Sequence, residues 1–187
     1  MELTVEEQKK LLLIARNSIE QYLKNGTVPF SGDCPDFLNL KEKCGAFVTL
    51  HTKDNKLRGC IGNMESGDSL YKTIHSMAIA AAIEDPRFAA LTINELNDII
   101  IEISVLSPFK RVESADEIEL GKHGVLVKRG FHTGVFLPQV ATETGWDKEE
   151  FLNNLCYGKA GLPADVWKDK KTELYVFTAQ VFSESDE

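Results

Sequence analysis

Residues 45–62 have the sequence GAFVTLHTKDNKLRGCIG, and this stretch decides the kind of fold that the chain can form. Its two ends, residues 45–52 and 57–62, carry the apolar residues that strands favour. The polar residues 53–56 between them are typical of a turn. The stretch therefore predicts a β-hairpin, a pair of antiparallel strands joined by a short loop.

The second predicted strand places an arginine close to a cysteine. Because side chains alternate along a strand, we expect Leu57 and Ile61 to face the core while Arg58 and Cys60 share the other face. Arginine is rarely buried without a partner, so this face should meet solvent, a cleft or a carboxylate. A positive charge nearby favours the thiolate form of a cysteine. Cys60 is therefore a candidate nucleophile; the alternative is that it packs as a small apolar residue.

Two glycines and two histidines could complete a site around Cys60. Gly59 and Gly62 weaken a strand, so they usually mark a bulge or the close approach of another backbone or a ligand. His51 lies on the paired strand, and the unknown register decides whether it faces Cys60. His75 is the other candidate base. For each histidine, a surface or core position is the more common alternative.

A second group of candidate residues is charged. The segment Asp85-Pro86-Arg87-Phe88 can bind a ligand carboxylate or form an internal ion pair, and internal pairing is favoured. Glu102 is a lone carboxylate in an apolar strand. It lies either on a solvated side of the sheet or reaches toward Arg58 or Arg87, and we favour the second alternative.

The remaining pattern predicts helices beside a sheet. Thr4 and Glu7 form a capping box that starts a helix over residues 5–24, with Gly26 as its end. A long irregular loop, residues 26–39, follows. Hairpins outnumber strand–helix–strand crossovers, which favours an α+β fold with a central, mostly antiparallel sheet flanked by helices. The other predicted elements are a helix capped by Asp68 with the stripe Leu70, Ile74, Met77/Ala78 and Ala81, a turn at 93–96, a strand at 99–106, a hairpin of 124–128 and 134–137, a helix opened by Pro138, a helix from Asp147 to Gly158, and a strand at 174–182.

Composition and the lack of certain motifs disfavour several classes of function. The 187-residue chain has a net charge of −8 and no dense basic run, which disfavours a nucleic-acid partner. There is no apolar stretch long enough to span a bilayer and no leader pattern, so we expect a cytoplasmic protein without a membrane partner. The four cysteines lack C-x-x-C spacing, and no nucleotide or hydrolase fingerprint occurs, so we expect no metal and no cofactor. The acidic residues 184–187 are expected to form a solvated tail.

Seven segments resemble the AMMECR family, and the resemblance runs over nearly the whole chain. Residues 57–62 match its six-residue signature. The other segments, in order, are GAFVTL at 45–50, DPRF at 85–88, EISVLSP at 102–108, FLPQVA at 136–141, GWD at 145–147 and KAGLP at 159–163.

This resemblance implies a fold more than a reaction. It implies one AMMECR-type domain over residues 4–183, with a central antiparallel sheet, a smaller second lobe and the acidic tail after it. Members lack an established activity, although the signature is viewed as a functional site. Prokaryotic relatives are associated with a Memo-type protein, similar to class III extradiol dioxygenases, and with a radical S-adenosylmethionine protein. The chain resembles the first component of that three-part system.

Two hypotheses of function follow. In the first, the chain is a cysteine-dependent enzyme acting on a small molecule: Cys60 attacks, Arg58 stabilises its thiolate or orients an anionic substrate, and Glu102 or a histidine moves protons. In the second, the chain is a non-catalytic adaptor or binding module that works with the Memo-type and radical proteins. The residues predicted to bind a ligand are Gly59, Gly62, Asp85 and Arg87.

Overall fold

The computed structural model describes residues 2–26 and 36–186 and confirms an α+β fold. The chain divides into two compact units, one formed by Met1–Leu106 with Gln180–Glu187 and the other by Ser107–Ala179. The elements are α1 (Val5–Asn25), β1 (Ala46–Thr52), β2 (Leu57–Asn63), α2 (Leu70–Ile83), β3 (Ile99–Leu106), β4 (Lys110–Val112), β5 (Gly124–Arg129), β6 (His132–Phe136), α3 (Gln139–Thr144), α4 (Lys148–Asn154), β7 (Glu173–Phe177) and β8 (Ala179–Ser183). Short 3₁₀ helices include Ile93–Asp98, which confirms the predicted turn at 93–96.

The first unit contains a four-stranded sheet in the order β2-β1-β3-β8, which we call sheet A. Strand β1 pairs antiparallel with both β2 and β3, so the predicted hairpin is confirmed. One face of sheet A packs against helices α1 and α2 in a single apolar core. From the sheet this core takes, among others, Val48, Leu50, Ile101 and Ile103, none of which is solvent-exposed.

Helix α1 forms where its capping signals predict. The Thr4 hydroxyl accepts a hydrogen bond from Glu7 N at 3.3 Å, and the Glu7 carboxylate accepts one from Thr4 N at 2.9 Å. The helix ends at Gly26, whose φ of 76° lies in the left-handed region that glycine adopts without strain. The prediction of a helix over residues 5–24 is therefore confirmed.

Helix α2 shows one confirmed and one wrong prediction. The apolar stripe is confirmed, with Leu70, Ile74, Ala78 and Ala81 in the core. Asp68 does not cap the helix, because the residue at the N-cap is Ser69, which itself makes no side-chain capping bond.

Strand β2 contains a bulge that changes which side chains face the core. Leu50 pairs with Gly59 but His51 pairs with Leu57, so Arg58 is an extra residue without a partner opposite. Leu57 consequently shares the face of His51 and is 41% exposed. The prediction that Leu57 faces the core is wrong, whereas Ile61 packs against the core as expected.

The second unit contains its own four-stranded sheet, in the order β4-β7-β5-β6, which we call sheet B. The predicted hairpin is confirmed, with Arg129 and His132 as its last pair. Asp147 caps α4 through a capping box, as predicted. The predicted end at Gly158 is wrong, since α4 continues into a π-helical turn, Leu155–Lys159. The short strand β4 was not predicted, because three residues give too little alternation.

The predicted strand at residues 174–182 is two strands in different sheets. β7 belongs to sheet B and β8 to sheet A. The break lies at Thr178, whose backbone N–H donates to the Ser107 hydroxyl at 2.9 Å and whose carbonyl accepts from Ser107 N at 2.9 Å. Tyr175, Phe177, Ala179 and Val181 keep the period-two spacing of one continuous strand across Thr178, so the sequence pattern does not reveal the break.

The acidic segment after β8 is not wholly a solvated tail. Arg16 of α1 forms an ion pair with Glu184, and the Glu184 carboxylate also accepts a hydrogen bond from Ile101 N at 2.8 Å. Arg16 donates in addition to the carbonyls of Leu96 and Ile99. The expectation of a solvated end is therefore wrong for Glu184, which is attached to sheet A.

The last two expectations are the long loop at residues 26–39 and the lack of a membrane-spanning stretch. Most of the predicted loop at 26–39, including Cys34, lies outside the described residues. Within residues 2–26 and 36–186, no helix combines the length and the apolar character needed to cross a bilayer.

We expect replacement of Gly59 in β2 by alanine to destabilise the folded protein. A Cβ at this position would overlap the carbonyl oxygen of Ala81, a backbone atom of α2 that cannot rotate away. Gly59→Ala should lower the free energy of unfolding by about 1–3 kcal/mol, as overpacked core positions do. The measurement is urea unfolding followed by far-ultraviolet circular dichroism.

Gly67→Ala is the matched control, because nothing lies within 4 Å of a Cβ at that position. Its free energy of unfolding should stay within about 0.5 kcal/mol of the wild type. Equal losses in the two variants would contradict the packing account of Gly59.

Candidate functional site

Three side chains form a row across sheet A on the face opposite the helices. Thr49 of β1 pairs with Cys60 of β2 on one side and with Glu102 of β3 on the other. Directly paired residues point to the same face of a sheet. The Thr49 hydroxyl donates a hydrogen bond to Cys60 Sγ at 3.2 Å. We call the surface formed by Thr49, His51, Cys60 and Glu102 the polar face.

His51 completes the polar face. It lies two residues after Thr49 on β1, so the two side chains point the same way. Its Nε2 is 3.8 Å from Glu102 Oε1, and both ring nitrogens are buried without a hydrogen-bond partner among the described residues. The register thus brings the candidate base onto the same face as Cys60, which the sequence could not decide.

Glu102 does not pair with an arginine. The only ion-pair partner that the described residues offer it is His51, whereas Arg58 pairs with Glu95 and Arg87 pairs with Asp85. The expectation that Glu102 reaches toward Arg58 or Arg87 is therefore wrong. The reason is the order of the strands, which places β1 between β3 and β2.

Arg58 is occupied by a partner that the sequence did not suggest. Its Nε donates to Glu95 Oε1 at 3.1 Å, and its side chain is only 16% exposed. Burial opposes the ionisation of Glu95, but hydrogen bonds from Thr92 and Arg58 outweigh it and hold the pKa of Glu95 below its usual value. The Thr92–Glu95 capping box was the available signal for this carboxylate. A role of Arg58 at the Cys60 thiolate stays a prediction.

Asp85 and Arg87 hold the backbone of Cys60 at the edge of sheet A. The Asp85 carboxylate accepts a hydrogen bond from Cys60 N at 2.8 Å, and Arg87 Nη2 donates to Cys60 O at 3.4 Å. Asp85 also accepts from Arg87 Nε at 2.9 Å and from Arg87 Nη2 at 2.7 Å. Because β2 is an edge strand, these bonds satisfy backbone groups that no strand pairs. The favoured alternative, internal pairing, is therefore the observed one.

The two charges of this pair stabilise each other. Hydrogen bonds from Arg87 hold the pKa of Asp85 far below its usual value, against the effect of burial, and the bond from Cys60 N adds to this. In return, hydrogen bonding to Asp85 raises the pKa of Arg87, and negative charge on Cys60 contributes in the same direction. Of the two candidate arginines, Arg87 is the one that contacts Cys60, through its carbonyl oxygen.

Gly59 and Gly62 of the signature lie too close to other residues of the same chain to carry a side chain. Gly59 faces the Ala81 carbonyl of α2, and a Cβ at Gly62 would overlap the Phe47 ring. Close approach, one of the two predicted reasons for these glycines, is confirmed, and the approaching groups belong to the chain. Their assignment to ligand binding stays a prediction.

The other predicted residues lie elsewhere. His75 is buried on α2, and its Nδ1 is 2.7 Å from Ser18 Oγ of α1, so it lies among the helices and away from the polar face. Cys156 is fully buried, as predicted, and burial raises the pKa of its thiol. Burial and the nearby Glu42 raise the pKa of Cys44 to about 11.

The second unit contains a cleft that is separate from the polar face. It has a volume of about 720 Å³ and is lined by charged residues of both signs, with the Trp167 side chain on one wall. Lys168 pairs with Glu149 at 2.6 Å, and Asp169 pairs with Arg129 at 2.8 Å. In the part of the chain that the structure describes, no three His, Cys, Asp or Glu side chains are grouped so as to hold a metal ion.

The fold and the polar face define an α+β protein of two units with a partly exposed thiol on an edge strand. Residues 12–182 match the family model AMMECR1. A protein of Pyrobaculum islandicum is 43% identical over 190 residues, covering 97% of this chain and 85% of the relative. A protein of Pyrococcus furiosus is 44% identical over 184 residues, covering 93% and 86%.

A solved crystal structure is similar to this chain in both fold and sequence. The crystal structure of an uncharacterized protein from Pyrococcus horikoshii has a TM-score of 0.86 to this chain at 39% identity. The similarity covers 98% of this chain and 94% of the other. The chain therefore belongs to the AMMECR1 family, which confirms the resemblance carried by residues 57–62 and the other six segments.

The Asp85 carboxylate should make the stability of the protein depend on pH. Its pKa is lowered by folding, so the ionised group stabilises the folded state above the unfolded value of about 3.9 and loses this effect as the pH falls toward the folded value. Asp85→Asn should cost roughly 1.5–3 kcal/mol at pH 7, as loss of a charged hydrogen-bonding group does. The difference from the wild type should shrink below about pH 4.

Urea unfolding of both proteins at a series of pH values between 7 and 3 measures this difference. Asp98→Asn is the control, because Asp98 is paired with Lys53 on the surface and both side chains are mostly exposed. A cost of Asp85→Asn that is the same at pH 7 and pH 3 would contradict the assignment.

Proposed function

We propose that the polar face of sheet A binds a small molecule and that Cys60 is its nucleophile, which would make the chain a cysteine-dependent enzyme. The observation that carries the proposal is the row of Cys60, Thr49 and Glu102 in direct register, with His51 beside Glu102. These residue types supply a nucleophile, a hydrogen-bond donor to it, and an acid–base pair, which are the parts of a nucleophilic site.

Each side chain has a distinct role in this proposal. The Thr49 hydroxyl lies 3.2 Å from Cys60 Sγ, and a hydrogen bond to the charged form of a group favours that form. His51 has ring nitrogens without a partner among the described residues, so it can take up or deliver a proton. Glu102 Oε1 lies 3.8 Å from His51 Nε2 and is the carboxylate that orients the ring.

The step that such a site supports is addition of the thiol to a carbonyl group. The Cys60 Sγ–carbon bond forms as the carbonyl π bond breaks, and that electron pair moves to the carbonyl oxygen. The thiol proton passes through His51 to the same oxygen, so no further reactant is needed. The product is a thiol adduct with a hydroxyl in place of the carbonyl, and the step changes no net charge.

Alkylation by iodoacetamide tests whether Cys60 is available. Cys60 is half-buried, whereas Cys156 is fully buried, and the high pKa of Cys44 keeps that thiol protonated at neutral pH. At pH 8 in the folded protein, we expect Cys60 to react at least about ten times faster than either, since only thiolate attacks. Mass spectrometry of peptides gives the rate of each cysteine.

A Cys60 that reacts only after unfolding would overturn the proposal. That result would favour the adaptor alternative, in which the chain works with a Memo-type protein and a radical S-adenosylmethionine protein. The alternative rests on the family alone, and binding between the purified proteins would be its test.

Thr49→Val tests the role of the hydroxyl. The two side chains have nearly the same shape, but valine cannot donate to Cys60 Sγ. We expect the alkylation rate of Cys60 at pH 8 to fall about two- to tenfold, the effect of losing one hydrogen bond. Thr142→Val is the control, since Thr142 is exposed and its hydroxyl donates to Gln139 O in α3. An unchanged rate in Thr49→Val would show that the hydroxyl does not assist the thiolate.

A further inference from the structure

Cys60 lies between a cation beside the polar face and a carboxylate on it. Arg87 contacts Cys60 O from the free edge of β2. Glu102 lies on β3, two strands from Cys60, which corresponds to about 10 Å at the usual spacing of strands. A molecule lying over Cys60 therefore meets positive charge toward the sheet edge and negative charge toward the sheet centre.

Arg87 is the arginine that can reach such a molecule. The guanidinium of Arg58 is directed to Glu95, and its side chain is 16% exposed. The Arg87 side chain is 55% exposed, and its guanidinium carbon lies 5.5 Å from the centre of the Phe88 ring.

Asp85 leaves one end of this guanidinium available. Arg87 uses Nε and Nη2 to bind Asp85, and no described residue binds Nη1. Asp85 accepts two further hydrogen bonds, from Cys60 N and from Arg87 N, so its negative charge is shared among several donors. The pair fixes the direction of the guanidinium, and Nη1 points away from the buried carboxylate.

From this geometry we propose that Arg87 binds a carboxylate group of the molecule that reacts at Cys60. The site then selects a small carboxylic acid that also carries an electrophilic carbon. Its carboxylate lies at Arg87 and its electrophilic carbon lies over Cys60 Sγ, because an arginine fork matches the planar oxygens of a carboxylate. Glu102 repels the opposite orientation. This inference rests on the proposed nucleophilic role of Cys60.

Two alkylating reagents that differ in charge test the inference. Iodoacetate carries a carboxylate where iodoacetamide carries a neutral amide. In both reactions the Sγ–carbon bond forms as the carbon–iodine bond breaks, iodide leaves with the electron pair, and the thiol proton passes to solvent. The measured quantity is the iodoacetate-to-iodoacetamide rate ratio at Cys60, divided by the same ratio for glutathione. We expect this quotient to be about two- to fivefold above one, the effect of a partly exposed ion pair.

The Arg87→Gln variant should return the quotient to about one, because the amide keeps a polar group but removes the charge. Arg111→Gln is the matched control and should leave the quotient unchanged, since Arg111 is as exposed as Arg87 but lies in the second unit and pairs with Glu113. A quotient of one in the wild type, or one that falls equally in the two variants, overturns the inference while the nucleophilic role of Cys60 stands. Absence of reaction with both reagents overturns the nucleophile itself.

A second measurement needs no variant and so does not depend on the folding of Arg87→Gln. Propionate, at constant ionic strength, should slow the reaction of wild-type Cys60 with iodoacetamide, and neutral propionamide should not. Equal slowing by the two, or none by either, counts against a carboxylate site at Arg87.

Discussion

The hydrogen bond from Cys60 N to the buried carboxylate of Asp85 is the constraint on which the rest of the candidate site depends. An edge strand has backbone groups that nothing in its own sheet satisfies. Here a carboxylate with a side chain only 2% exposed accepts the free N–H, and Arg87 compensates the charge that burial would otherwise disfavour. The position of the thiol therefore depends on a charge pair that lies outside the sheet.

Cys60 and the helices lie on opposite sides of sheet A. Gly59 lets β2 approach the backbone of α2, and the bulge at Arg58 turns Leu57 away from the core. With the apolar side chains of β1 and β3 directed to the helices, the polar residues of each strand collect on the other face. The row of Thr49, Cys60 and Glu102 follows from this alternation together with the register.

Much of the fold could be predicted because its signals are local. The capping box at Thr4 and Glu7 gave the start of α1, and the alternation of residues 99–106 gave β3 to the residue. The arrangement of charges could not be predicted in this way. Arg58 and Glu95 are 37 positions apart, so only the folded chain decides that they pair. The pairing of Thr49 with Cys60 and Glu102 places His51 on the polar face, and the order of the strands keeps Glu102 away from both arginines. Register and strand order are set by the whole sheet, so neither follows from the residue pattern of one strand.

The first and last residues of the second unit lie close together. It begins after β3 and ends at Ala179, the first residue of β8. Here Ser107 N donates to the Thr178 carbonyl, and Thr178 N donates to the Ser107 hydroxyl. A segment whose two ends meet can be inserted into, or removed from, a host protein without separating the elements on either side. The first unit is in this sense a host, because β3 and β8, which lie on either side of the inserted segment, are neighbours in sheet A.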